Sequence, residues 1–249
     1  MPTRKQIHQR ILRETPLPGG HRLDLELRGE GESIPAALLL PTAGRGGQAP
    51  GVLLLHGYSA DKEMMAGTIG HGLLARGIAS LALDLPLHGE RRTPVRPTLD
   101  GALELIRHWR SALAEAALGI SYLGARSEID RTRLAAVGYS LGSLLAGALA
   151  ARDTRVRALV VAAGGDLPPG LASFARPIVD PVANVRALAG RPLLIVAGRR
   201  DRTMPPAQAE ALYAAAGEPK TIRWYDSGHI LPASAASDVA DWLQERLQS

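Results

Sequence analysis

Apolar runs of strand length alternate with longer segments of helical period from about Ile34 to the C-terminus, and no other feature constrains the fold as tightly. Strands separated by helices pair in parallel, because a crossover of a dozen residues or more returns the chain to the same end of the sheet. Buried strands are predicted at Val52 to Leu55, Ile78 to Asp84, Arg133 to Val137, Val156 to Ala163, Leu193 to Ala197 and Thr221 to Tyr225. Polar and apolar residues alternate in HRLDLELR, His21 to Arg28. With Ile34 to Leu40 beyond the turn-like GEGES, this predicts an antiparallel hairpin at the sheet edge. Helices are predicted at about Asp61 to Arg76, Thr98 to Leu123, Leu141 to Ala151, Pro206 to Ala216 and Ala233 to Gln248, with Gly77 placed as a helix-capping glycine. Gly164 to Arg191, rich in Pro and Gly, reads as a short insertion over the C-terminal edge of the sheet. The expectation is one α/β domain over residues 1–249: a mostly parallel sheet of about eight strands, helices on both faces, and a minimal cap at about 164–191.

Composition supports this class. Hydrophobic residues make up 46% of the chain and aromatic residues only 4%, the makeup of alanine-faced helices on aliphatic strands. The formal charge of +5 comes from arginines interleaved with Asp and Glu rather than gathered in a run, which argues against nucleic acid as a partner. Zero Cys excludes disulfides, cysteine nucleophiles and thiolate metal sites. The N-terminal MPTRKQIHQRILRETPLPGG lacks the continuous apolar stretch of a secretory signal and is interrupted by Pro16 and Pro18, and no segment has the apolar length of a membrane span. A cytoplasmic location away from membranes is expected; the oligomeric state is not readable.

Within AAVGYSLGSLLAG, Ser140 stands between Gly138 and Gly142. A short motif of this kind occurs by chance, so its context decides. Ser140 follows the aliphatic strand residues Leu134 to Val137 and precedes the helical LGSLLAGALAA, which places it on a strand-to-helix turn. Such a turn strains the central residue and presents its hydroxyl outward; the residues two before and two after must be small, because strand and helix nearly touch there. A helix N-terminus behind the serine favours negative charge developing on a substrate.

A serine hydroxyl is a poor nucleophile without a base, and the base needs a carboxylate to fix its tautomer. Downstream of Ser140 the sequence has a single histidine, His229, in WYDSGHILP. A loop histidine is ordinarily a solvated surface residue, but this one stands where a triad base is expected. Asp201, in LLIVAGRRDRTMP, is the preferred acid because it follows a buried strand and a glycine turn; Asp226 and Asp166 are rivals. Oxyanion donors are expected at the backbone N–H of Leu141, which follows the nucleophile, and of Tyr58, just past His56-Gly57 in GVLLLHGYSADKE. His56 itself reads as structural.

These residues, His56-Gly57-Tyr58, Gly138-Tyr139-Ser140-Leu141-Gly142, Gly198 with Asp201 and Gly228-His229, resemble the α/β-hydrolase superfamily in that family's order, from the second strand to the last helix. Within it the chain looks most like the dienelactone hydrolase and prolyl-oligopeptidase-like serine esterases, through ALDLPLHGERR (Ala82 to Arg92) and the minimal cap. Dienelactone hydrolases proper use a cysteine nucleophile, so their lactone substrate does not carry over. The His-Gly-Gly-Gly loop of hormone-sensitive-lipase-like esterases is also missing.

The resemblance and the motif together imply a serine hydrolase: a carboxylesterase acting on a small or short-chain ester through an acyl-enzyme, with no metal and no organic cofactor. Acyl transfer and peptide or thioester cleavage use the same triad, and a non-catalytic binding protein on the same fold is the reading from another class. Met64, Met65, Leu87, Phe174, Ile178 and Val179 are candidate walls of a substrate pocket, though apolar residues at such spacing also build cores. Asp84, His88 and Arg91 read either as a loop-bracing polar network or, with Arg92, as a site for a substrate carboxylate.

Overall fold

The structure is a computed structural model and describes residues 7–29, 31–42, 47–92 and 99–248, without the side chains of 99–106, 171, 173 and 174. Nine strands form one sheet: β1 His8–Leu17, β2 Gly20–Arg28, β3 Ser33–Pro41, β4 Ala49–Leu55, β5 Ala79–Leu83, β6 Ile129–Tyr139, β7 Val156–Ala162, β8 Leu193–Gly198 and β9 Lys220–Tyr225. Their order across the sheet is β1-β2-β3-β5-β4-β6-β7-β8-β9. The pairs up to β3–β5 are antiparallel and those from β5–β4 onward are parallel.

β2 and β3 form the predicted hairpin, but it is not at the edge. β1 lies outside it, and its residues are exposed or half-buried. β1 joins β2 through Pro18-Gly19, with Gly19 at φ +81°. β1 carries Arg10, Arg13 and Glu14, with a register shift between Ile11 and Arg13, features that discourage a further strand from adding to an edge. Its exposed residues gain nothing from polar-apolar alternation, so the pattern that reveals half-buried strands is missing.

The parallel strands are apolar along their whole length because both faces are covered. One face packs on α3 Leu99–Ala125, α4 Leu141–Arg152, α6 Pro181–Arg186 and α7 Pro206–Ala215; the other packs on α1 Lys62–Met65, α2 His71–Leu74 and α8 Ala233–Leu247. Each fully buried leucine, such as Leu53, Leu54 and Leu243, contributes about 2 kcal/mol of transfer free energy. Where one helix was predicted at Asp61 to Arg76, α1 and α2 are separated by a wide π turn at Ala66–Gly70; Asp61 caps α1 by accepting from the Met64 N–H, and Gly77 takes φ +72° after α2. Residue 98, the predicted start of the next helix, lies outside the described residues. The 164–191 stretch holds α6 and a further short helix, α5 Pro169–Ala175.

Chain direction across the sheet sets the site. From β4 the chain passes over the face that holds α1 and α2 to reach β5 on one side, whereas from β6 it passes over the opposite face, through α4, to β7 on the other. The loops leaving β4 and β6 therefore diverge at the C-terminal ends of these neighbouring strands, the kind of switch point at which ligands bind in such sheets. Leu55 of β4 is in register with Gly138 of β6, so Gly57 and Ser140, two residues further along each strand, meet there.

Candidate active site

Ser140 sits between β6 and α4 at φ 51°, ψ −113°, a conformation that costs a residue with a side chain about 1 to 3 kcal/mol. Hydrogen bonds on both sides hold it. Its N–H donates to the Ala162 carbonyl at 2.8 Å, and its carbonyl accepts from the Ser143 N–H at 2.9 Å and the Ser143 hydroxyl at 2.6 Å. The flanking glycines serve close approach: a Cβ on Gly142 would lie 2.2 Å from the Leu55 carbonyl oxygen, and one on Gly138 would lie 2.1 Å from the Gly142 carbonyl oxygen.

Three predicted residues converge here. His229 Nε2 is 3.0 Å from Ser140 Oγ, and His229 Nδ1 is 2.8 Å from Asp201 Oδ2. Asp201 Oδ1 accepts the Thr203 and Met204 N–H groups at 2.8 and 2.9 Å, which fixes the carboxylate, and the Asp201 side chain is only 2% exposed. The two loops carrying Asp201 and His229 are joined by backbone bonds from Arg199 N–H to the Tyr225 carbonyl and from Arg200 N–H to the Ser227 carbonyl. Gly198 makes that contact possible, since a Cβ there would lie 2.3 Å from the Gly228 carbonyl oxygen. The rival carboxylates are occupied elsewhere: Asp166 pairs with Arg176 at 2.9 Å, and exposed Asp226 pairs with Arg200 at 3.1 Å.

Leu141 opens α4, so its N–H has no partner within the helix. Tyr58 lies one residue past Gly57, where a Cβ would be 3.3 Å from the Ser140 Cβ, and among the described residues its N–H takes no hydrogen-bond partner. His56 sets the direction of that amide. Its Nε2 accepts from the Leu85 N–H at 3.0 Å, so the ring proton is on Nδ1, which donates to the Gly57 carbonyl at 2.7 Å. In a trans peptide N–H and C=O point opposite ways; holding the Gly57 carbonyl therefore holds the Tyr58 N–H.

Burial pushes the His56 imidazole down to about 4 from an ordinary 6.5. The unfolded chain therefore takes up the proton first as pH falls. Stability from this group is complete above about pH 7 and declines by about 1.4 kcal/mol per unit between 6.5 and 4, reaching about 2 kcal/mol by pH 5. Urea unfolding at pH 7 and pH 5 measures this. His56→Gln is expected to be less stable than the parent at pH 7 yet to lose about 2 kcal/mol less between the two pH values. Equal pH dependence in the two proteins contradicts the neutral, doubly bonded ring.

The residues after β5 form a brace. Asp84 is fully buried: Oδ1 accepts the Lys62 N–H at 2.8 Å, and Oδ2 accepts Lys62 Nζ at 3.3 Å and the Glu90 N–H at 3.0 Å. Arg91 makes a two-pronged pair with Glu115 at 2.6 and 3.0 Å, so its charge is already matched. His88 is buried, with its ring edge-on to Tyr58 at 5.3 Å and tilted to His56 at 5.2 Å. Of the predicted pocket walls, Met65 and Val179 are buried in the two cores, Met64 packs half-buried against one of them, Leu87 is half-buried at φ 68°, and Ile178 is exposed. The Phe174 side chain lies outside the described residues. A groove of about 1760 Å³ between β1 and α3, lined by Gln9, Leu118, Tyr122 and Arg126 among others, includes none of Ser140, Asp201 and His229. Size alone does not mark a reactive site; a hydrogen-bonded chain of serine, histidine and aspartate is the more specific candidate. Among the described residues no cluster of His, Asp and Glu could hold a metal ion, and no helix is long and apolar enough to cross a membrane.

Solved structures share this architecture. Acetyl xylan esterase 1 from Thermoanaerobacterium sp. JW/SL YS485 superposes with a TM-score of 0.77 at 20% identity, covering 98% of this chain and 89% of that one. A cold-adapted esterase from an Arctic intertidal metagenomic library gives 0.73 at 20% identity, covering 95% and 98%. Two uncharacterized proteins from strains of Mycobacterium tuberculosis are 29% identical over 185 residues, 70% of this chain, and the chain spans about 60% of their length. The alpha/beta hydrolase family model matches residues 52–189, more than half of the sequence, running from the strand before the His56-Gly57 turn through the Ser140 elbow to just beyond α6, and the chain belongs to that family.

Proposed function

We propose that this protein is a serine hydrolase, a carboxylesterase that cleaves small or short-chain esters through an acyl-enzyme. The carrying observation is the unbroken hydrogen-bond chain Ser140 Oγ, His229 and Asp201, beside which the Leu141 N–H has no partner within its helix and the Tyr58 N–H has none among the described residues. Ser140 Oγ attacks the ester carbonyl carbon as His229 Nε2 takes its proton, and Asp201 stabilises the imidazolium that forms. The tetrahedral oxyanion accepts hydrogen bonds from the Tyr58 and Leu141 amides, each such donor being worth about 3 kcal/mol in the transition state. His229 then protonates the departing alkoxide, and a water activated by the same imidazole releases the acid. The choice of ester draws support from the two structural relatives that are named as esterases.

A fluorophosphonate tests the mechanism directly. It is expected to label the protein stoichiometrically, with the adduct mapping to Ser140, and a p-nitrophenyl ester panel is expected to show fastest turnover at short acyl chains. A protein that stays unlabelled, or is labelled at another residue, refutes the assignment.

A further inference from the structure

Tyr139 precedes the nucleophile and reaches back across the site. Its hydroxyl donates to the His229 carbonyl at 2.6 Å and accepts from the Leu231 N–H at 3.1 Å, which uses both of its hydrogen-bonding roles. Its ring stands edge-on to the His229 imidazole at 6.1 Å. Burial raises the phenol above its ordinary value, so the hydroxyl keeps its proton and remains a donor.

Beside these bonds, the loop that carries His229 is tied in this direction by Leu231, which packs half-buried against the same core as Tyr139. Residues 225 and 227 are bonded to Arg199 and Arg200, contacts that join the histidine loop to the acid's loop. Ile230, between the two groups held by Tyr139, is 84% exposed and adds no packing. Among the described residues, Tyr139 supplies the hydrogen bonds that join the 229–231 backbone to the nucleophile turn, apart from the Nε2–Oγ contact itself. We infer that Tyr139 is a positioning residue, a strap that sets the separation of His229 Nε2 from Ser140 Oγ and so governs proton transfer between them. This inference rests on the serine hydrolase reading above.

The Tyr139→Phe variant keeps the ring and removes only the hydroxyl. Because misplacement of a reacting group by about 1 Å costs up to about 100-fold in rate, kcat for p-nitrophenyl acetate is expected to fall about 10- to 100-fold. The fluorophosphonate inactivation rate is expected to fall by the same factor, with KM changed less than about threefold, because the strap acts on the base and touches no substrate. Tyr122→Phe supplies the control. That hydroxyl, on α3 and remote from Ser140, accepts from Arg126 Nη1 at 2.9 Å, and its loss is expected to lower the melting temperature comparably while kcat stays at the parent value. Parent-like labelling and kcat in Tyr139→Phe, a change in KM alone, or an equal loss of kcat in Tyr122→Phe overturns the strap and leaves the hydrolase reading standing. Failure of the parent protein to label at Ser140 overturns both.

Discussion

Replacing Ser140 with alanine is expected to lower kcat/KM for p-nitrophenyl acetate by on the order of 10,000-fold or more, while the protein stays folded. Alanine keeps the Cβ, so the backbone at φ 51° carries the same strain as before, and the bonds of residue 140 to Ala162 and Ser143 involve only its backbone N–H and carbonyl. What disappears is the Oγ–Nε2 hydrogen bond, worth about 1 kcal/mol, a change of about 2 to 4 °C in melting temperature for a chain of this size. Under the proposed mechanism, the residual rate reports what the Tyr58 and Leu141 amides achieve with water as the nucleophile. A melt by circular dichroism together with initial rates separates the two effects. A folded variant that retains more than about 1% of parental kcat/KM removes Ser140 from the reaction.

The parts of the candidate site that are legible in the sequence are those fixed by local chemistry. Two glycines around a serine are demanded by backbone atoms only residues away along the chain or on the adjacent strand, and a lone downstream histidine leaves no competitor. That Asp201, rather than Asp166 or Asp226, meets His229 is less legible in the sequence: Arg176 and Arg200 reach the two rival carboxylates through loop geometry that no spacing rule encodes. The amides of Thr203 and Met204 had a readable signal, since an aspartate commonly accepts from N–H groups two and three residues on. The strap from Tyr139 had none, because it spans 90 residues of sequence.

The fold divides along the same line. Strands buried on both faces announce themselves as aliphatic runs, whereas β1 is exposed, charged and ends at Pro16-Leu17, so its sequence carries no strand pattern and none is predicted there. α6, which the sequence reading leaves within the 164–191 insertion, carries its own start signal among the prolines: Asp180 accepts the Ala183 N–H as its cap and Pro181 occupies the first turn. The π turn at Ala66–Gly70 leaves no imprint in hydrophobic period, since Met65, Ile69 and Leu73 still recur at fours.

Substituting Asp201 by asparagine tests the proton path, and the structure specifies which way the new amide must face. Oδ1 of Asp201 accepts two backbone N–H groups, so an asparagine places its carbonyl oxygen there and its NH2 at the Oδ2 position, 2.8 Å from His229 Nδ1. Nδ1 must then accept, which moves the ring proton to Nε2 and points it at Ser140 Oγ. A protonated Nε2 cannot take the serine proton, so kcat is expected to fall about 10,000-fold although every heavy atom keeps its position. The polarity of the amide is what matters, so Asp201→Glu, which retains the charge but displaces it, need not follow the same course. If Asp201→Asn keeps more than about a tenth of parental kcat, Asp201 does not set the histidine tautomer, and the acid must be sought among the remaining carboxylates.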